Sequence, residues 1–187
     1  MPRPKPDASP QIHRTIALIG MMGAGKTTIG RRLARALNMP FKDADAEIER
    51  AAGMAVGELF ERHGEESFRK GEAQVIERLL SGPPIVLATG GGAITHPQTR
   101  RLLKERALTV WLRADLDTLA RRATRRPTRP LLQTDDPRSV IEKLLKDREP
   151  FYSAADIVIE SQPGPHSRTV DEVLAQIRLH TEKEPPP

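Results

Sequence analysis

One short stretch limits the folds open to this chain more than any other. It is Gly20-Met-Met-Gly-Ala-Gly-Lys-Thr27, which fits the pattern G-x-x-x-x-G-K-[S/T]. It follows the apolar run Ile16–Ile19 and opens a helical period in which Ile29, Leu33 and Leu37 share a face. A strand, a glycine-rich turn and a helix in that order let successive backbone N–H groups curl inward as an anion nest. The helix N-terminus adds a dipole that favours phosphate. Gly23, Ala24 and Gly25 are thereby expected to cradle a nucleotide's phosphates. Lys26 is expected to reach the β- and γ-phosphates, Thr27 to ligate Mg²⁺ and Thr28 to meet the α-phosphate. The plain alternative is a glycine turn with an exposed lysine. A dinucleotide turn is disfavoured, because the G-x-G-x-x-G spacing is absent. GTPases of this class usually specify guanine with Asn-Lys-x-Asp, and Asn38 is the sole asparagine. Exclusion therefore favours ATP.

Around this turn, short apolar runs alternate with helical periods. Strands are expected at Thr15–Ile19, Pro40–Lys42, Ile85–Ala88, Thr109–Leu112 and Asp156–Ile159, each apolar enough to be buried on both faces. Helices are expected at Lys26–Leu37, Ala46–Ala52, Val56–His63, Glu65–Leu80, Pro97–Glu105, Asp117–Arg125, Arg138–Arg148 and Val170–His180. Pro97 and Pro137 suit first helical positions, and Thr169-Val-Asp-Glu172 reads as a capping box. Strands separated by helices predict an α/β fold with a doubly wound, parallel, five-stranded sheet. Residues 45–80 and 124–137 break the alternation and look like insertions covering a site. Residues 1–13 read as a flexible leader, 14–181 as one domain and 182–187 as a frayed tail.

Composition narrows the function classes. There is no cysteine, which removes disulfides, thiolate nucleophiles and cysteine-ligated zinc. The five histidines show no metal-ligand spacing and read as surface residues. No apolar run has membrane-spanning length, so a cytoplasmic protein without a membrane partner is expected. The net charge of +5 invites a nucleic-acid reading, but aromatic residues at 3% are too few for a stacking platform. Arginine forks suit small phosphates and carboxylates equally well.

Other polar groups fall where an open parallel sheet binds its ligands, at the C-terminal strand ends. Asp43 and Asp45 follow the second strand and lean the same way in extended chain. One would hold Mg²⁺ through water and the other meet an acceptor hydroxyl; alternatively, Asp45 simply caps the helix from Ala46. Thr89-Gly-Gly-Gly-Ala93 follows the third strand and offers close backbone approach to a ligand. Arg69 fits a solvated helix face, and Arg148 a helix C-terminus with its dipole. The segment from Arg129 to Leu132 is either a solvated basic loop or a lid carrying an arginine to transferring phosphate.

In order and spacing, GMMGAGKTTIGRRLA, KDADAEIE, ESFRKGE, LATGGGAI, TRPLL and REPFY resemble the shikimate kinase family, in the nucleoside-monophosphate-kinase-like branch of P-loop folds. The resemblance covers about residues 14–180 and implies ATP-dependent phosphorylation of shikimate with Mg²⁺, by a monomer that binds no nucleic acid. It implies that Asp45 bonds the shikimate hydroxyls and accepts the proton, and that Asp43 partners Mg²⁺ with Thr27. Arg69 and Arg148 resemble the carboxylate clamp, with Gly91 and Gly92 giving backbone contacts. Arg129 resembles a lid arginine near the γ-phosphate, and Arg122 with Gln162 and Pro163 the adenine site. Residues 45–80 would then be substrate-binding helices, and about 121–136 the lid. Three rivals are a gluconate-type kinase, a non-catalytic sensing domain of the same fold and general nucleic-acid binding through the basic lid.

Overall fold

Thr15–Ile19 (β1) is buried at every residue, as a strand with helices on both sides of its sheet must be. It lies at the centre of a five-stranded, all-parallel sheet of order β2-β3-β1-β4-β5. The other strands are Phe41–Asp43 (β2), Val86–Ala88 (β3), Ala107–Arg113 (β4) and Ile157–Glu160 (β5). Leu18 of β1 is flanked by Ala88 of β3 on one side and Val110 of β4 on the other. The computed structural model describes residues 12–125, 132, 134–161 and 165–183.

Among the described residues seven helices flank the sheet, six between strands and the last after β5: Lys26–Leu37 (α1), Ala44–Ala52 (α2), Val56–Leu80 (α3), Pro97–Arg106 (α4), Leu116–Ala123 (α5), Pro137–Tyr152 (α6) and His166–Thr181 (α7). A 3₁₀ turn, Ala93–Thr95, which the sequence pattern did not signal, precedes α4. α1 packs on α7, α3 on α4, and α5 on α6. One continuous core gathers Ile16–Ile19, Ile29, Leu87, Leu112, Ile141 and Ile177.

Strand order decides where a ligand enters. From β1 the chain crosses outward to β2, whereas from β3 it crosses to β4 on the far side of β1. Connections leaving adjacent β1 and β3 in opposite directions open a crevice at their C-terminal ends. The turn after Ile19, the glycines after Ala88 and Asp43 at the end of β2 meet there.

Several local expectations are corrected. Asp43, not Asp45, caps α2, because β2 runs through Asp43 and its carboxylate accepts the Asp45 N–H at 3.1 Å. Asp45 is therefore helical, and the two aspartates do not share one extended segment. Thr169 is no cap: α7 starts at His166, and Thr169 is buried within it. Arg148 does not end its helix, since α6 continues through Pro150 to the buried Tyr152. Edge strand β5 alternates buried and exposed residues rather than burying both faces, leaving Val158 45% exposed.

Candidate active site

The crevice is an open cleft of about 1370 Å³ running from the glycine-rich turn to the α2–α3 region. At its centre, Gly25 caps α1 and Lys26 begins it. Lys26, only 9% exposed, donates to the carbonyls of Gly20 at 2.7 Å and Met21 at 2.9 Å. Among the described residues, no acceptor meets the N–H groups of Gly23, Gly25, Thr27 or Thr28. Unpaired donors at a helix N-terminus are an anion site. The Thr27 hydroxyl donates to Asp43 Oδ2 at 2.7 Å, joining the end of β2 to the phosphate turn.

Asp45 opens into the same cleft one residue into α2. The protein atoms crowded round its carboxyl push it above the usual aspartate range, and the negative charge of Asp43 adds to this. Lys26 and Arg69 pull the other way. Although crowded on one side, Asp45 is exposed as a residue and accessible from the cleft.

Beyond Asp45 stand two buried arginines. Arg69, which helix pattern alone would place on a solvated face, is 8% exposed and pairs with Glu72 at 2.7 Å. Its guanidinium lies against Phe60 and Phe68, with ring centroids 5.8 and 5.2 Å away. A Cβ at Gly92 would run into that guanidinium, so a side chain there would displace it. Arg148 reaches in from α6, 4% exposed; among the described residues it forms no ion pair, and its guanidinium meets Met21 Sδ at 3.9 Å. Gly91 lies between the phosphate turn and Arg148 Nη1, which sits 3.7 Å from where a Gly91 Cβ would be.

At the other end of the cleft, Arg122 leaves the last turn of α5 and donates to the Ser161 hydroxyl at 3.5 Å. Arg129, Gln162 and Pro163 lie outside the described residues. The structure thus gathers Asp43, Asp45, Arg69, Arg148 and the glycine loop round one space beside Lys26, with Arg122 on the far side of the turn.

A shikimate kinase family model matches residues 22–178. The chain is 55% identical to a shikimate kinase of Bradyrhizobium diazoefficiens over 167 residues, 89% of this chain and 81% of that one. The chain belongs to the shikimate kinase family. A shikimate kinase of Nitrobacter winogradskyi is 58% identical over 86% of this chain and 75% of its own. The structure of shikimate kinase from Acinetobacter baumannii in complex with shikimate superposes with a TM-score of 0.87 at 40% identity, covering 93% of this chain and 97% of that one. A gluconokinase from Sinorhizobium meliloti shares the fold, with a TM-score of 0.62 at 19% identity over 91% and 98% of the two chains.

Within this shikimate kinase framework, two cleft residues escaped the sequence reading. Glu72 is 1% exposed, and its Oε1 has no hydrogen-bond partner. Burial pushes its carboxyl above the usual glutamate range, while Arg69 opposes the rise. Its spacing of three from Arg69 was the available signal. His166 is half-buried rather than a surface residue and lines the cleft, its Cε1 3.8 Å from where a Gly25 Cβ would be. A lone histidine opening a helix carries no signal of its own.

Proposed function

We propose that this chain transfers the γ-phosphoryl group of ATP to the 3-hydroxyl of shikimate, giving ADP and 3-phosphoshikimate on the route to chorismate and the aromatic amino acids. Arg148 carries this reading. A buried guanidinium without a carboxylate partner is costly unless an anion completes it, and the space in front of it also holds Arg69 and an aspartate. A hydroxy acid supplies the anion to the arginines and the hydroxyl to Asp45. The family's identities of 55% and 58%, against 19% for the gluconokinase, favour shikimate over gluconate.

The turn's free N–H groups hold the nucleotide's phosphates, and Lys26 exchanges its two carbonyl partners for β- and γ-phosphate oxygens. Asp45 orients the acceptor hydroxyl and takes its proton as the oxygen bonds to the γ-phosphorus and the bridging oxygen leaves with ADP. Catalysis is mostly positioning and charge stabilisation. Arg129 adds positive charge at the transferring group, and Arg122 with Gln162 and Pro163 flanks adenine, as the family resemblance implies. Thr27 and Asp43 fit Mg²⁺: both offer oxygen, 2.7 Å apart, and the described residues hold no cluster of three or more metal-ligating side chains that would form an all-protein cage. Bound with ATP, Mg²⁺ would neutralise charge on the β- and γ-phosphates. The enzyme acts as a cytoplasmic monomer, with residues 45–80 as its acceptor-binding helices and about 121–136 as its lid; among the described residues no helix is long and apolar enough to cross a membrane.

An ADP-release assay over a panel of hydroxy acids tests the reading. Shikimate should be the preferred acceptor and gluconate inert; preference for gluconate, or nucleotide binding without turnover of any acceptor, would reject it.

A further inference from the structure

Four residues beyond Arg148, on the same face of α6, stands Tyr152. It is completely buried, stacked on Trp111 of β4 with ring centroids 5.7 Å apart, and its hydroxyl donates to the carbonyl of Gly91. Burial pushes the phenol's pKa up to about 12, against the pull of Arg148, so it stays a donor throughout the neutral range. Gly91 joins the phosphate turn to Arg148. A Cβ there would lie 3.2 Å from Met22 N, 3.6 Å from the Gly20 carbonyl and 3.7 Å from Arg148 Nη1.

A trans peptide points its C=O and N–H in opposite directions, and the described chain has no cis bond. With the Gly91 carbonyl tied to α6, the Gly92 N–H of the same peptide plane points away from Tyr152. Among the described residues that N–H meets no acceptor. Gly92 also packs against the Arg69 guanidinium. One phenol therefore fixes the orientation of a free backbone donor between the two arginines.

We propose that Tyr152 is a positioning residue of the acceptor site, locking the Gly91–Gly92 peptide and α6 into one unit so that the Gly92 N–H and the Arg148 fork meet the acceptor together. The proposal rests on the acceptor reading above. It assigns Tyr152 no contact with the acceptor; it acts through Gly92 and Arg148.

The test is Tyr152→Phe, which keeps the stacked ring and removes the hydroxyl that donates to Gly91 and meets Arg148. The half-buried Gly91 carbonyl loses its partner and its peptide is released, so KM for shikimate should rise about five- to fifty-fold, while KM for ATP stays within about twofold. In a cycle with Arg148→Lys, the double variant should lose less than the product of the single losses, because the two groups act as one unit. A lowered melting temperature with shikimate KM unchanged, or equal rises in both KM values, would overturn the proposal. Should the variant fold poorly, amide NMR on the wild type decides instead: titrated shikimate should displace the Gly92 resonance strongly, and an unmoved Gly92 amide would overturn the proposal. Failure of the acceptor reading shows separately, as a wild type that does not turn over shikimate.

Discussion

Arg148 and Asp45 carry opposite charges, and neither is comfortable in the free protein. A buried guanidinium with no ion-pair partner among the described residues is a function-driven cost, since an apolar side chain of similar volume in such a place is often neutral or stabilising. Arg148→Met should therefore hold or raise the melting temperature of the unliganded enzyme. It should also lower kcat/KM for shikimate about 10- to 150-fold, the worth of a charge-assisted contact of roughly 1.5–3 kcal/mol. Thermal denaturation with and without shikimate checks both at once: a fall in the free melting temperature with an undiminished shikimate shift would return Arg148 to a structural role. For Asp45 the sign follows from its raised pKa. In its proposed role toward the acceptor hydroxyl Asp45 must be charged, so activity should fall as pH drops through a value above the ordinary 3.8. The same shift means that the charged form costs the folded protein stability above that pKa, a cost relieved on acidification. Asp45→Asn should thus reduce kcat by about 10²- to 10⁴-fold, leave ATP affinity nearly unchanged and not lower the melting temperature at pH 7. A variant that loses ATP binding while keeping acceptor binding would show the roles of Asp43 and Asp45 to be reversed.

Among the elements, β5 depends on a latch at its first turn of chain. Asp156 Oδ2 accepts from both the N–H and the hydroxyl of Thr109, each at 2.8 Å, and the Asp156 N–H donates back to that hydroxyl at 3.0 Å. Asp156→Ala leaves a buried β4 N–H unpaired, a loss of about 1–3 kcal/mol, or roughly 2–12 °C in melting temperature for a chain of this size. Calorimetry should show that drop, with kcat/KM at 25 °C unaltered and Asp156→Asn recovering part of it; a drop under about 1 °C would mean that the edge is held by packing alone. The sequence could place β5 to within a residue but not see this latch, because it joins positions 47 apart. The division of α3 was readable: the helical runs either side of Gly64 are separate in sequence, and Gly64 adopts φ 74°, ψ 169° where they kink. The cap of α2 was not, because two aspartates flank Ala44 and the choice follows from the pairing of Asp43 with Ala88 on β3. Likewise the periodicity placed Arg69 on a helix, but its burial depends on Glu72, Phe60 and the glycine loop. The sequence pattern ended α6 at Arg148, and the burial of Tyr152 carries the helix through Pro150. Local pattern specified the elements and the phosphate turn; long-range contact specified which polar groups were buried.

At the scale of the molecule, the +5 charge is not spread evenly over the cleft. Arg31, Arg32 and Arg35 on α1, with Arg122 and Arg125 at the end of α5, line its nucleotide side, and among the described residues none of the five forms an ion pair. Acidic groups such as Glu49, Glu58 and Glu61 line the α2–α3 side instead. A polyanion approaching from solvent therefore meets a one-sided field, and fields of this kind accelerate encounter in proportion to the ligand's charge. ATP carries several negative charges and shikimate one, so salt should affect them unequally. Raising potassium acetate from about 50 to about 500 mM shrinks the Debye length from roughly 14 Å to 4 Å. The kcat/KM for ATP should then fall roughly three- to tenfold, whereas kcat at saturating ATP persists. The kcat/KM for shikimate should fall less, because Arg69 and Arg148 are buried and screened weakly. Equal falls for both substrates would point to general inhibition by salt, so a variant separates the two. Arg35→Gln with Arg125→Gln removes two exposed charges from the field without touching the phosphate turn, and should flatten the salt dependence for ATP alone. An ATP salt slope identical in the variant and the wild type would show that these arginines do not steer the nucleotide, and that its capture is governed by the turn and Lys26.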